Sequence, residues 1–142
     1  DDEITPFLIE KVKEGLIYII EDGKYRFQPI YIKDASLIYL KSLEVKEAEN
    51  KIFDLVGDDI ISFRDYLNLI IRKLMDKGKI VRYPKIISLS LEEAKRKENP
   101  LGLAEEEVDV MVCDEISDPT EIKRIFKVQL TPLKDSLDEI LQ

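Results

Sequence analysis

Residues 62–90, SFRDYLNLIIRKLMDKGKIVRYPKIISLS, leave the fewest conformational choices in this chain. Ser62 followed three residues later by Asp65 has the spacing of a reciprocal helix cap. Phe63, Tyr66, Leu67, Ile70, Ile71 and Leu74 then recur on one face of a helix. Gly78 supplies the stop, because only glycine enters the left-handed region without steric cost. The segment after it, KIVRYPKIISL at 79–89, is extended and apolar. The fold must therefore bury one side of a helix over 62–77 and at the same time accept the arm behind it.

The segments on either side carry their own signals. TPFLIEKVKEG at 5–15 reads as a short helix with Thr5 as cap, Pro6 at the first turn and Gly15 as stop. LIYII and YRFQPIYI, flanking Asp22-Gly23, predict a β-hairpin over 16–32, with Pro29 on an edge strand. DASLIYLKSLEVKEAENKIFDLVG at 34–57 has helical spacing with a break near 43–46, which predicts two helices. Ser90 and Glu93 repeat the cap pattern before a short charged helix. In the last third, VDVMV (108–112) and IFKVQL (125–130) alternate like half-buried strands, and TPLKDSLDEIL (131–141) reads as a helix. The sign of charge flips in KRKENPLGLAEEE. The expected organisation is therefore 1–98, a helix, hairpin and helical unit, and 99–142, an acidic β-β-α element, packed as one compact α+β domain.

Two helices (34–43 and 45–57), a capped third (62–77) and an extended arm (79–89) resemble a winged helix. In that fold the third helix would present Arg64, Asn68 and Arg72 at i, i+4 and i+8, with Lys73, Lys77, Lys79 and Arg82 close by. Arg and Asn are the side chains that read guanine and adenine edges. Tyr18, Tyr25 and Phe27, beside Lys24 and Arg26, are the aromatic surface candidates for stacking.

Charge limits how strongly such a patch could hold phosphate. The chain of 142 residues has a net charge of −8. Residues 1–50 carry 11 acids and 7 bases, 51–100 carry 8 and 11, and 101–142 carry 11 and 4. A +3 centre between −4 and −7 flanks predicts weak nucleic-acid contact at most, because counterion release drives phosphate binding.

The chemistry available is narrow. With no histidine, Ser-His-Asp and Cys-His nucleophile systems and His-ligated zinc are excluded within these residues. One cysteine, Cys113, excludes an internal disulfide and fits a reducing, cytoplasmic compartment. There is no glycine-rich phosphate loop and no metal-ligand spacing, so neither a cofactor nor a metal is expected. Segment 105–121 holds eight carboxylates and no base. There EVDVMV followed by Glu121-Ile122-Lys123 resembles the PD-(D/E)xK nucleases, which implies metal held by Asp109 and Glu121, with Lys123 assisting the attacking water. No apolar run approaches the ~20 residues that span a bilayer. The opening DDE is not a signal peptide, and a start at Asp1 fits a piece of a longer chain. Abundant Ile, Lys and Glu fit a thermophile.

Together these features predict a non-catalytic accessory or scaffolding subunit of an intracellular multiprotein assembly that handles nucleic acid. It would meet other protein subunits and no membrane. The alternatives are a winged-helix DNA-binding regulator using helix 62–77 and a degenerate metal-dependent nuclease using 109–123.

Overall fold

The computed structural model describes residues 4–142. The elements are α1 (Ile4–Glu14), β1 (Leu16–Ile20), β2 (Arg26–Phe27), α2 (Ile32–Ser42), a 3-10 turn at Lys46–Ala48, β3 (Ile61–Ser62), α3 (Phe63–Asp76), β4 (Lys85–Leu89), α4 (Leu91–Ala94), α5 (Glu105–Met111), α6 (Thr120–Phe126) and α7 (Leu133–Ile140). β2 and β3 form a minimal second sheet. The chain forms two compact units. One contains residues up to Arg26 with Ser62–Asp114, and the other Phe27–Ile61 with Glu115–Gln142.

In the first unit, β1 pairs in parallel with β4, Leu16 opposite Lys85 through Ile20 opposite Leu89. Two strands can be parallel only if a long crossover returns the chain to the same end of the sheet. Here α3 lies in that crossover. It buries Phe63, Tyr66, Leu67, Ile70, Ile71 and Leu74, the stripe its spacing predicts, and it packs on α1, where Leu8 and Val12 are buried. Ser62 caps α3 by accepting from the Asp65 amide at 3.1 Å. A second cluster joins Ile20, Leu89, Ala94 and Val108, with Tyr18, Tyr25, Leu91 and Met111 packed on it.

The parallel pair and its crossover helix replace the expected winged helix, whose wing is a β-hairpin, and the α+β assignment with it. The hairpin over 16–32 does not form either. Asp22-Gly23 does turn the chain, with the Gly23 amide donating to Ile20 O at 3.1 Å. The turn's carbonyls then serve α3 instead of a returning strand. Arg64 N donates to Gly23 O at 3.0 Å and Phe63 N to Tyr25 O at 3.0 Å, so two first-turn amides that a helix leaves orphaned are satisfied.

VDVMV is not a strand but the body of α5. Glu105, Glu106 and Glu107 occupy its first turn, where carboxylates oppose the helix dipole favourably, and Glu107 accepts from the Ala104 amide at 2.7 Å. Val108 is buried and Val110 is exposed. IFKVQL is likewise divided. Its first half ends α6, which Lys127 closes in the left-handed conformation at φ 48°. The expected β-β-α element is therefore three helices. The second helix expected over 45–57 shrinks to the 3-10 turn, and 51–57 belongs to no helix or strand.

In the second unit, Ile38 of α2 packs with Ala48, Ile122, Ile125, Phe126 and Leu130. Phe53 meets Phe126 edge-on, with ring centroids 5.2 Å apart. Carboxylates tie the loops to this core. Asp34 accepts from the Thr131 amide at 2.6 Å and Asp59 from the Leu133 amide, the first of α7, at 2.7 Å.

The reciprocal cap predicted at Ser90 and Glu93 forms in full. Ser90→Ala should lower stability by about 1 kcal/mol, the usual size of such a cap, in urea denaturation followed by circular dichroism. A change within error would show that α4 is held by Ala94 packing alone.

Candidate functional site

The second unit contains an open cleft of about 600 Å³, within the size range of small-molecule sites. Phe27, Phe53, Leu55, Val56 and Ile116 give it apolar walls, and Gln28, Asp54, Glu115 and Ser117 bring polar groups. Its floor depends on Gln28, which is 7% exposed. The Gln28 side chain accepts from Ser117 N at 2.6 Å and donates to Gly57 O at 3.0 Å. The Gly57 amide returns a bond to Gln28 O at 3.3 Å. This closes a ring of polar contacts between chain segments that the sequence separates by up to 89 positions. Phe27 pairs with Glu115 in a parallel bridge, which sets 115–117 beside 27–28. Gly57 is required by proximity, since a Cβ there would stand 2.2 Å from Pro29 O.

At the lip, Ser117 Oγ donates to Asp54 Oδ2 at 2.9 Å. Asp54 is exposed, so this hydroxyl can leave it for a ligand's carbonyl at little cost. The lining holds two carboxylates and no base. Its electrostatics therefore favour neutral ligands and disfavour phosphates.

The residues singled out as a nucleic-acid or partner face have other surroundings. Arg64 is half-buried and its Nε donates to Asp22 O at 2.5 Å. Asn68 accepts from the Tyr83 hydroxyl at 2.5 Å. Lys73, expected on the outer face, is 6% exposed. It lies three residues after Ile70 and seven after Tyr66, so its stem runs along the buried stripe. Arg72, Lys77, Lys79 and Arg82 are exposed.

Tyr18 and Tyr25 pack on a core cluster and are not surface aromatics. The Tyr25 ring lies 5.2 Å from that of Phe63. Burial pushes its hydroxyl pKa upward, and the Ile20 backbone offsets only part of that. Of the three aromatic candidates, Phe27 lines the cleft of the second unit, and Tyr18 lines a smaller one of about 200 Å³ in the first.

The strands that the nuclease pattern needs are absent, since its acidic and lysine segments are both helical. Asp109 lies on α5 and pairs with Lys95 at 2.5 Å, while Lys123 lies on α6 and pairs with Asp58 at 2.6 Å. No group of three or more His, Cys, Asp or Glu that could hold a metal ion occurs among the described residues. No described helix is long and apolar enough to cross a membrane.

No family model matches the sequence, and no curated relative does. Among solved structures, the chain resembles the NADPH-dependent quinone oxidoreductase of Escherichia coli, solved with NADPH, at a TM-score of 0.68 and 13% identity. The likeness covers 99% of this chain and 50% of that one. The parallel strand pair and the seven helices among the described residues make the fold α/β. These findings overturn the expectation of a non-catalytic accessory subunit, and with it the winged-helix regulator. The regulator drew its support from a fold that is absent, and the solved structure that the chain resembles is an enzyme's and not a scaffold's.

A dinucleotide's pyrophosphate needs a glycine-rich turn between a strand and a helix N-terminus. This chain does not fit that group. Gly15 and Gly78 follow helix ends, Gly102 lies in a loop, Gly23 approaches Arg64, and Gly57 approaches Pro29. β1 runs into the 21–25 turn and not into a helix. The cleft was missed from sequence because its lining comes from three separated segments. The one local sign was QP at 28–29, read only as an edge strand.

Proposed function

We propose that these residues form the substrate-side part of an oxidoreductase whose hydride comes from a nicotinamide dinucleotide held by another polypeptide segment. The cleft over Gln28 would take the organic acceptor. The observation that carries this reading is the cleft itself, with aromatic walls, a rigid amide floor and one releasable hydroxyl donor, in a chain whose fold is that of half a quinone oxidoreductase. Phe27 and Phe53 suit a planar ring, and Ser117 Oγ suits its carbonyl oxygen. Asp54 and Glu115 discourage anionic acceptors. An exposed free thiol at Cys113 fits a reducing, cytoplasmic setting.

The test is NADPH oxidation by the natural protein that contains these residues, driven by a panel of neutral quinones. Ser117→Ala should raise KM about 2–10-fold, the worth of one neutral hydrogen bond, with kcat nearly unchanged. NADPH oxidation no faster than background with every quinone would overturn the reading.

A further inference from the structure

We propose that the open cleft between the end of α1 and the strap 79–83 binds a phosphomonoester, with Arg82, Lys13 and Lys79 facing the phosphate and Val81 and Tyr83 facing its organic part. This cleft belongs to the first unit alone, and its ligand is separate from the acceptor placed over Gln28.

The cleft is about 460 Å³, lined by Val12, Lys13 and Gly15 on one side and by residues 79–83 on the other. That is more space than a bare phosphate fills, and it lies in the range of small-molecule sites. Lys13, Lys79 and Arg82 bring three cations, and no described residue of the lining is an acid.

Such a balance runs against the composition of the chain, which has 30 acids and 22 Lys and Arg. Elsewhere its cations find carboxylates: Lys11 with Glu14 at 2.7 Å, Arg26 with Asp114 at 2.7 Å and Arg124 with Glu47 at 2.8 Å. The side chains of Lys13 and Arg82 form no ion pair or hydrogen bond with a described residue. Glu14, beside Lys13 in sequence, is taken by Lys11. Lys13 stands in the last turn of α1, where a cation also meets the negative end of the helix dipole. Arg82 has no such explanation, since it belongs to no helix or strand.

The backbone of the strap points the same way. It is pinned at both ends, by Lys79 N donating to Leu74 O at 2.8 Å and by Lys85 N donating to Gly15 O at 2.9 Å, where β4 begins beside β1. Between them the Tyr83 hydroxyl donates to Asn68 Oδ1 at 2.5 Å and ties the ring to α3. Yet the amides of Val81, Arg82 and Tyr83 donate to no described residue. Backbone N–H groups together with a guanidinium fork are a donor set that phosphate oxygens accept from. Holding that set in place beforehand lowers the ordering cost of binding.

A phosphomonoester suits the cleft better than other anions do. At pH 7 it carries about −1.5 to −2 charges and three strong acceptor oxygens, enough for several donors at once. Val81 is 87% exposed and Tyr83 54%, so an attached organic group has apolar surface to cover. Nucleic acid suits it less, because a chain of net charge −8 repels a polyanion along its length.

The test is calorimetric titration of phenyl phosphate into the natural protein that contains these residues, at about pH 7.5, above the second phosphate pKa of ~6. Saturable binding of phenyl phosphate is expected, with weaker binding of inorganic phosphate and none of phenol at the same concentrations. Arg82→Ala should weaken phenyl phosphate binding about 10-fold or more, the worth of a charge-assisted bond, and Arg82→Lys should restore only part of it because the fork is lost. Arg72→Ala removes the same charge from an exposed position outside the lining and should leave binding unchanged. Circular dichroism checks that each variant is folded. Four results would overturn the proposal: no saturable binding of phenyl phosphate, phenol bound as tightly, equal losses from Arg82→Ala and Arg72→Ala, or a short single-stranded oligonucleotide bound more tightly than phenyl phosphate.

Discussion

Ile70→Ala is expected to lower stability by about 2–5 kcal/mol in urea denaturation, the range for a buried branched side chain cut to a methyl. Ile70 is 0% exposed at the centre of α3, among Tyr66, Leu67, Ile71 and Leu74, which are also buried. The helix cannot rotate to refill the space. Its first turn is fixed by the Ser62 cap and by the bonds from Phe63 and Arg64 to the 23–25 turn, and its last turn passes Lys77 and Gly78 amides back to Lys73 and Met75 carbonyls. Arg72→Ala, two residues on and exposed, should change stability by less than about 0.5 kcal/mol. Equal losses from the two variants would refute the packing order given for α3.

Gly57→Ala should unfold the cleft, although it adds only one carbon. The new Cβ would meet Pro29 O at 2.2 Å and Pro29 C at 3.1 Å, and both are backbone atoms that cannot swing aside. The 28–30 and 56–58 segments must separate, breaking the Gly57 N–Gln28 O and Gln28 Nε2–Gly57 O bonds. A buried amide left without partners costs about 1–3 kcal/mol on its own, and the steric displacement adds to it. A total above about 3 kcal/mol is expected, read as faster hydrogen exchange over 27–57 and 115–126. Gln28→Ala removes both side-chain bonds without a clash and should cost less. If Gly57→Ala exchanges like the natural sequence, the close approach of the two segments is wrong.

Elements whose limits are set by contacts along the chain were legible. Ser62, the 3.6-residue stripe and Gly78 determine α3, and Ser90 with Glu93 determines α4, because a helix chooses its ends from groups within four residues. α1 and α7 obey the same local logic. Valines alternating at 108, 110 and 112 misled, because period two was weighed above the three glutamates that open a helix there. Residues 125–130 carry both periods, and only the αL turn at Lys127 divides them.

Strand partners could not be read in the same way. Asp22-Gly23 specifies a turn and not what the turn faces. Whether LIYII pairs with the strand just after it or with one 69 positions on, as Leu16 does with Lys85, is decided by which arrangement buries α3. Once β1 took β4, the hairpin and the winged helix were both lost. The cleft depends still more on tertiary structure. Gln28, Gly57 and Ser117 have no common pattern in sequence, and they matter together because the fold brings their polar groups within hydrogen-bonding reach and away from water. By itself the sequence determined which residues must be dry, where most helices begin and end, and that histidine and disulfide chemistry are absent. The tertiary structure decided which strands run side by side and which distant residues share a cleft, since those choices come from burying apolar surface between segments that no local spacing connects.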